Sequence, residues 1–338
     1  MRTLFLDAFS QDFLEKRPVW LMRQAGRFLP EYMGLRAKNS LFSCFHEPEL
    51  AAQITHMPLT RFDLDAAIVF SDILLLAEVW GKQVCYPEGK TPYITPPLLH
   101  AKELYVPSKE EIQDKLSYVF ATIKLLIPTL DVPLIGFCGA PFTLLCYLLE
   151  PRGIQGFEQV RVWIDHNREE FVQMLEIVCQ TCISFAALQI QAGCKAFQVF
   201  DSWANLLSNE EFAAFVLPCW KKMKDALAPL QVPVLFFSRA NSAYVDLIAP
   251  ADFSGISFDE GKSLAELRWK VPSHIVVQGN FSPTFLLEKG EEEIRKATRE
   301  MKSSVEGKGK IVWNLGHGVL PKTPLENVYA FVQELRST

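Results

Sequence analysis

Short apolar runs alternate with amphipathic stretches along the whole chain. Eight runs are rich in β-branched, aromatic or small apolar side chains: Val19–Met22, Ala66–Phe70, Leu134–Phe137, Ala196–Phe200, Val232–Phe237, Gly255–Phe258, Ile275–Val277 and Ile311–Trp313. Nearly continuous hydrophobicity over such a short length is typical of parallel strands that are covered on both faces. Each run is therefore predicted to be a strand of a buried parallel sheet.

Helical periodicity between these runs predicts helices over Lys109–Leu126, Phe171–Ala192, Glu210–Ala228, Glu291–Ser303 and Pro324–Leu335. Strands that alternate with helices are typical of βαβ units. With eight candidate strands, no internal repeat and no flexible linker, residues 1–338 are predicted to form a single domain, an α/β fold of the (β/α)8 TIM-barrel type. The segment Tyr86–Pro97 is predicted to be an extended excursion or a hairpin.

Composition narrows the class of protein. The chain has 34 Lys and Arg against 39 Asp and Glu, a formal charge of −5, so neither nucleic acid nor an anionic membrane is an expected partner. The longest uncharged apolar run, Leu134–Leu149, is too short to span a bilayer, and no secretory pattern precedes it, which predicts a cytoplasmic protein. The eight cysteines are expected to be reduced and buried. For Cys179 and Cys182 a core position is favoured over a redox pair or half a zinc site.

Polar residues follow most of the predicted strands. The strand ends lead into Arg23–Arg27, Ser71-Asp72, Gly139–Thr143, Asp201-Ser202, Ser238-Arg239, Asp259, Gln278–Asn280 and Asn314–Gly318. In a barrel, the carboxyl ends of the strands form one rim, and that rim holds the active site. The same residue types also cap helices and build turns, and this explains Asp201, Asp259 and Asn280 equally well.

Two arginines, Arg23 and Arg27, lie in the glycine-containing turn after the first predicted strand, and Arg36 follows in the next helical stretch. A guanidinium is a rigid fork of donors that matches a carboxylate and stays charged at any working pH. Three of them at one rim would bind an anionic ligand. The alternative is that they are surface arginines paired with Glu31 and with aspartates.

Three further side chains follow predicted strands. Asp72 is flanked by apolar sequence, so partial burial is expected to disfavour its charged form; it either awaits a cationic or donor-rich ligand or caps the next helix. Tyr147, one turn after Thr143, either points its hydroxyl at the rim or donates to a backbone carbonyl. His317, between two glycines, is either exposed to a ligand or is a turn histidine with one satisfied nitrogen.

Together these segments resemble the uroporphyrinogen decarboxylase family, in the family's order and over almost the whole chain. The matching segments are Pro18–Tyr32, Phe70–Leu74, Gly136–Thr143, Phe200–Ala204, Gln278–Asn280 and Asn314–Gly318. The first is long and specific. The chain departs from the family at Asn205, where a glycine is usual, at Ser238–Asn241, which replaces a glycine-containing turn, and at Pro151–Gln155, which replaces a glycine-rich loop.

The resemblance implies a homodimeric barrel that, without metal or organic cofactor, converts the acetate arms of uroporphyrinogen III to methyl groups and so yields coproporphyrinogen III for haem biosynthesis. A protonated pyrrole can act as its own electron sink, a task for which most decarboxylases need a cofactor. Asp72, Tyr147, Arg23 and Arg27 are implied to be catalytic. Substrate binding is implied for Arg23, Gln24, Ala25, Gly26, Arg27, Arg36, Asp72, Tyr147, Ser202 and His317.

The group that protonates the ring stays open among Tyr147, His317, protonated Asp72, an arginine and a relayed water. Two other functions are considered. A related barrel family transfers methyl groups with zinc-bound thiols and corrinoid partners, which would need a His/Cys cluster that no motif supplies. A non-catalytic tetrapyrrole-binding or carrier protein is the second, and the carboxylate at position 72 argues against it, because a buried charge destabilises the fold.

Overall fold

The structure is a computed structural model that describes residues 1–12, 14–87, 90–150 and 158–337. Its strands are β1 (Ala67–Ile68), β2 (Gln83–Cys85), β3 (Tyr93–Thr95), β4 (Leu134–Gly139), β5 (Ala196–Asp201), β6 (Val234–Ser238), β7 (Gly255–Ser257), β8 (Val276–Phe281) and β9 (Ile311–Leu315). Seven of them form one curled parallel sheet in the order β1-β4-β5-β6-β7-β8-β9. The other two, β2 and β3, pair antiparallel. Of the two alternatives predicted for Tyr86–Pro97, the structure shows a hairpin, and its first strand begins earlier than predicted, at Gln83.

Helices connect the strands and cover the outer face of the sheet. They are α1 (Leu4–Ser10), α2 (Pro30–Arg36), α3 (Leu41–His46), α4 (Pro48–Arg61), α5 (Lys109–Lys115), α6 (Ser117–Leu126), α7 (Pro141–Leu149), α8 (Glu158–His166), α9 (Arg168–Ala192), α10 (Asn209–Glu211), α11 (Leu217–Leu227), α12 (Val245–Ile248), α13 (Leu264–Lys270), α14 (Pro283–Glu288), α15 (Glu291–Ser304) and α16 (Leu325–Arg336). Short 3₁₀ turns add Leu75–Trp80, Ala101–Glu103, Ala204–Leu206, Ala228–Leu230 and Ala249–Ala251.

The first predicted strand is not a regular strand, so the full eight-stranded barrel is not established. The segment meets β9 through a single bridge between Val19 and Trp313. Side chains take the place of a strand ladder here: the Val19 N–H donates to Asp65 Oδ2 at 2.7 Å, and the Met22 N–H donates to Asn314 Oδ1 at 2.9 Å. Because these N–H groups bond to side chains, regular pairing with neighbouring backbones does not develop. The α/β fold with a parallel sheet is confirmed.

Two predicted helices are interrupted. The predicted Glu210–Ala228 helix contains a π turn over Phe212–Val216 before α11 begins. Pro218 lies just after that turn and has no N–H to donate to the preceding helical turn, which is a common cause of such distortions. The predicted Lys109–Leu126 helix divides at Leu116, whose φ of −110° and ψ of 27° are not helical.

The interior of the curled sheet has its own apolar core, separate from the layer under the helices. It consists of Phe5, Ala8, Trp20, Met22, Ala66, Ile135, Ala196, Leu235, Phe237, Val276 and Val312. Helix α1 contributes the first two of these, and the Arg2 N–H donates to Asp131 O just before β4 begins. The amino-terminal end of the sheet is thus filled by α1, and the carboxyl rim is the opposite end.

Helix α9 is long and apolar enough to cross a membrane by length and composition alone. Within the fold, 56% of its most apolar 18-residue window is buried, which is the environment of a core helix. The run Leu134–Leu149, predicted as core, is β4 followed by α7, and every residue in it is buried. All eight cysteines are unpaired. Seven of them, including Cys179 and Cys182 on α9, are buried as predicted, whereas Cys85 is half-buried, contrary to the prediction.

Candidate active site

The turn after the first predicted strand is fixed by Gln24. Its side chain is buried; Oε1 accepts from the Leu21 N–H at 3.3 Å and Nε2 donates to Ala66 O at 3.3 Å. The Gln24 side chain therefore positions the turn. By contrast, the backbone N–H groups of Ala25 and Gly26 donate no hydrogen bond in the described part of the chain, so they are available to an acceptor.

Arg23 has an unusual backbone conformation in this turn. Its φ of 56° is in the left-handed region, which costs a residue with a Cβ about 1–2 kcal/mol. Its side chain lies against Gly318, where an added Cβ would stand 3.0 Å from Arg23 Cβ and closer still to Cγ and Cδ. Such strain in a non-glycine residue is found mostly at functional sites.

Arg23, Arg27 and Arg239 lie close together at the rim. The protein surrounding the Arg23 guanidinium lowers its pKa most, and the positive charges of Arg239 and Arg27 lower it further. None of the three has a salt bridge to a carboxylate in the described ranges. Glu31, the expected partner, instead pairs with Arg61 at 2.5 and 2.8 Å. The surface-pairing alternative is therefore wrong for Glu31, and the cluster is free to bind an anion.

Asp72 lies beside this cluster. Burial raises the pKa of its carboxyl from 3.8 to about 6, and the Leu74 N–H, Arg23 and the Tyr86 hydroxyl oppose that rise. The Leu74 N–H donates to Asp72 Oδ1 at 2.8 Å, so the turn-forming role foreseen for this residue occupies one oxygen. No hydrogen bond of normal length to Oδ2 is present in the described residues, which leaves that oxygen for a ligand.

Tyr147 and His317 face the same group of charges. Tyr147 is buried against Trp203, with 6.0 Å between ring centroids, and burial followed by the charge of Asp72 raises the pKa of its hydroxyl. No backbone carbonyl accepts from it among the described residues, contrary to the simpler alternative. Burial, then Arg23 and Arg239, lower the pKa of His317 to about 4, so its imidazole is neutral near pH 7.

Ser202 and Arg36 are the two remaining side chains that the resemblance assigns to substrate binding. Asp201 pairs with Ser238 in the β5–β6 register, so Ser202 and Arg239 follow at adjacent strand ends. Arg36 donates to Asn39 O and lies beside Tyr32. Burial raises the pKa of the Tyr32 hydroxyl, and the charges of Arg36 and Arg27 both oppose that rise. The structure thus brings Arg23, Arg27, Asp72, Tyr147 and His317 together, and Tyr32 connects Arg36 to Arg27.

Asp201, Asp259 and Asn280, for which a helix cap or a turn was an equal alternative to a site role, have structural roles. Asp201 is fully buried and accepts from Thr143 Oγ1 at 2.6 Å. Asp259 accepts from the Ser242 N–H at 2.8 Å, and Asn280 Nδ2 donates to Asp259 O at 2.8 Å. These contacts hold the loops of the rim in place.

Sequence reasoning did not select Arg239 as a site residue. The available signal was its position directly after β6, together with the absence of a carboxylate nearby in sequence. The turn that contains it needs no glycine, because Ser238 Oγ donates to Asn241 Oδ1 at 2.6 Å and Asn241 Nδ2 donates to Ser257 O at 2.8 Å. Asn205 likewise has no positive φ. The third departure, Pro151–Gln155, lies outside the described residues.

The described residues contain no group of three or more His, Cys, Asp or Glu side chains arranged to hold a metal ion.

Similarity searches agree with the resemblance noted in the sequence. Residues 1–338 match the family described as Uroporphyrinogen decarboxylase (URO-D). The chain is 36% identical to the uroporphyrinogen decarboxylase of Flavobacterium johnsoniae over 338 residues, covering 98% of this chain and 97% of that protein. It is 35% identical to the one from Syntrophotalea carbinolica, covering 96% and 94%, and 33% identical to the one from Francisella tularensis subsp. novicida, covering 99% of each.

Among solved structures, a methyltransferase from Methanosarcina mazei superposes with a TM-score of 0.83 at 22% identity, covering 99% of this chain and 98% of that one. A B12-independent methionine synthase from Shewanella sp. W3-18-1 superposes with a TM-score of 0.54 at 12% identity, covering 85% and 89%. At such low identity these similarities establish the fold alone. The match over the full length and the curated relatives establish more: the chain belongs to the uroporphyrinogen decarboxylase family.

Proposed function

We propose that the cleft around Asp72 is where this chain, by its family a decarboxylase of porphyrin biosynthesis, binds uroporphyrinogen III and removes carbon dioxide from its acetate arms. The observation that supports this most strongly is one carboxylate, partly free of hydrogen bonds, beside three arginines that have no carboxylate partner in the described chain. A porphyrinogen has N–H donors at its centre and carboxylates at its periphery, which is the complementary pattern.

The chemistry needs a place for the electrons of the breaking carbon–carbon bond. Protonation of the ring carbon next to the one that bears the acetate arm makes the pyrrole a conjugated iminium-like cation. This cation accepts the electron pair as carbon dioxide leaves, and the arm becomes an exocyclic methylene group. Protonation of that methylene carbon gives the methyl group, and loss of the first proton from the ring carbon restores the pyrrole. Ionised Asp72 can accept hydrogen bonds from pyrrole N–H groups and stabilise the cation as it forms. Preorganised charge of this kind is commonly the largest contribution to catalysis.

The peripheral carboxylates of the substrate would bind to the cations of the rim. Arg23, Arg27 and Arg239 offer guanidinium forks, and the free N–H groups of Ala25 and Gly26 offer further donors. Ser202, Tyr147 and His317 are proposed to contact the arm that reacts, and Arg36 an arm at the edge of the cleft.

The proton donor is not assigned to one residue. Asp72 has a pKa of about 6, nearer to a neutral working pH than His317, whose pKa is about 4. A general acid works best when its pKa is close to the working pH. Water relayed through the cleft, Tyr147 and an arginine are the other candidates.

We also propose that Pro18–Met22 serves as the eighth strand of a closed barrel. On one side the Trp313 N–H donates to Pro18 O at 2.8 Å, and on the other the Asp65 N–H donates to Val19 O at 2.8 Å. Trp20 belongs to the inner core. A cytoplasmic homodimer remains the expectation for the assembled protein.

The deciding experiment is anaerobic incubation of the purified full chain with uroporphyrinogen III, followed by oxidation and chromatography of the porphyrins. We expect products that have lost successive carboxyl groups, ending at coproporphyrin. Binding without any loss of carboxylate would favour the tetrapyrrole-carrier alternative. Stoichiometric zinc in the active protein, together with methyl transfer, would favour the methyltransferase, which the relatives named above support less.

The pH dependence of turnover provides a further prediction. Because burial raises the pKa of Asp72 to about 6 and the ionised form is proposed to be active, kcat/KM should fall about tenfold per pH unit below that value. His317, with a pKa of about 4, should add no inflection between pH 5 and pH 8. Anaerobic initial rates across that range test this, and a flat profile down to pH 5 would contradict the ionised role of Asp72.

A further inference from the structure

Tyr86 directly follows β2 in the hairpin, and no motif in the sequence pointed to its hydroxyl. Its Oη is enclosed by protein and has no hydrogen-bond partner in the described residues. Its ring packs against Phe45, with 5.3 Å between centroids, and Phe45 stacks on Phe70 at 5.0 Å, two residues before Asp72. An enclosed hydroxyl without a partner costs about 1–3 kcal/mol, so it calls for an explanation.

The acidic groups near this hydroxyl differ in their remaining capacity to accept a hydrogen bond. Glu78 is already engaged: Tyr118 Oη donates to its Oε2 at 2.8 Å, and His46 Nε2 lies 3.0 Å from its Oε1. Among the residues that the structure describes, the hydrogen bond of Asp72 is to its Oδ1, from the Leu74 N–H at 2.8 Å, and its Oδ2 accepts none. The stronger free acceptor facing Tyr86 is therefore Asp72.

We propose that Tyr86 is a positioning residue that donates its hydroxyl proton to Asp72 and so orients this carboxylate towards the bound macrocycle. The inference rests on the proposed function and adds a residue to it. An ionised carboxylate has about four lone-pair sites; Leu74 and Tyr86 would occupy two and leave two for pyrrole N–H groups. Such hydrogen bonds are often long in the empty site and shorten when the ligand binds.

The other ionisable groups that face Asp72 are Arg23, Tyr147 and Tyr118. Arg23 favours the ionised carboxylate, as the Tyr86 donor does. Removal of the Tyr86 hydroxyl should therefore leave Asp72 ionised over a narrower pH range, with its orientation less restricted.

The test is Tyr86→Phe in the full chain, with the titration of Asp72 followed by NMR on protein labelled with ¹³C at aspartate Cγ. The Asp72 signal is identified by its absence from Asp72→Asn. A hydrogen bond to a charged acceptor is strong enough that its loss should raise the Asp72 midpoint by about one pH unit. Tyr244→Phe is the matched control, because the Tyr244 hydroxyl is buried and donates to Leu207 O at 2.6 Å; it should leave the midpoint unchanged.

Three results separate the possibilities. If the midpoint of Asp72 and the acid limb of kcat/KM rise together in Tyr86→Phe, and Tyr118→Phe leaves both in place, the positioning role is supported. An Asp72 midpoint equal to that of wild type overturns it. If wild-type protein does not decarboxylate uroporphyrinogen, the proposed function fails, while the NMR titration still decides the contact between Tyr86 and Asp72.

Discussion

Asp72→Asn is expected to lower kcat by roughly 10²–10³-fold, the usual effect of removing one preorganised charge from a catalytic site. The amide keeps the shape of the side chain, and its oxygen can still accept from the Leu74 N–H, so the turn should persist. It cannot balance the positive charge that develops on the pyrrole. Substrate affinity should change much less than kcat, since the arginines that hold the peripheral carboxylates are intact.

The same substitution should stabilise the folded protein at neutral pH. Burial raises the pKa of Asp72 from 3.8 to about 6, so in wild type this group favours folding only at low pH, and that contribution is lost as the pH rises through 6. Asparagine avoids the buried charge and should raise the free energy of unfolding by roughly 2–3 kcal/mol above pH 7, with no gain near pH 4. Urea unfolding at both pH values measures this.

Asp225→Asn is a suitable control, because its carboxylate is exposed, with 73% of the side chain accessible. It should change neither kcat nor stability appreciably. Near-normal turnover in Asp72→Asn would contradict the assignment of this residue. If Asp72→Asn were less stable than wild type at pH 7, the Asp72 carboxylate could not be a partly buried charge that its surroundings compensate incompletely.

Much of the sheet could be predicted because its strands are apolar on both faces. β4, β5 and β9 each begin at the first residue of a predicted run and extend one or two residues beyond its end, since continuous hydrophobicity depends on local sequence alone. The segment Val19–Met22 has the same pattern and yet is not a regular strand. The Val19 and Met22 N–H groups bond to the side chains of Asp65 and Asn314. Both side chains are distant in sequence, and no local pattern indicates such contacts.

The site was predictable to the extent that it follows strand ends. Arg23, Arg27 and Asp72 were selected from their positions, and the structure places them together. Gln24 shows the limit of this approach: it lies in the same motif, but its side chain bonds to Leu21 and Ala66. Tyr86 shows the opposite error, because its proximity to Asp72 depends on how the hairpin packs, which its sequence does not encode locally.

Arg23 is expected to combine functional importance with a local loss of stability. Its guanidinium is proposed to bind a substrate carboxylate, while its φ of 56° strains the backbone. Both Arg23→Ala and Arg23→Gly remove the guanidinium. Truncation of one partner of a close charge pair commonly costs about 2–5 kcal/mol, so kcat/KM should fall by roughly 10²–10³-fold in both variants.

The two variants should nevertheless differ in stability, because only glycine adopts the left-handed conformation without strain. We expect Arg23→Gly to be about 1 kcal/mol more stable than Arg23→Ala, after allowance for the greater freedom of glycine in the unfolded chain. Urea unfolding measures the difference, and Arg299→Ala, at an exposed arginine on α15, controls for the loss of a charge. Equal stability of the two variants would show that the strain is absent, whereas kcat/KM within threefold of wild type would remove Arg23 from the binding site. If the two variants differ in stability but are equally impaired in kcat/KM, the backbone strain at position 23 affects stability and the guanidinium affects substrate binding.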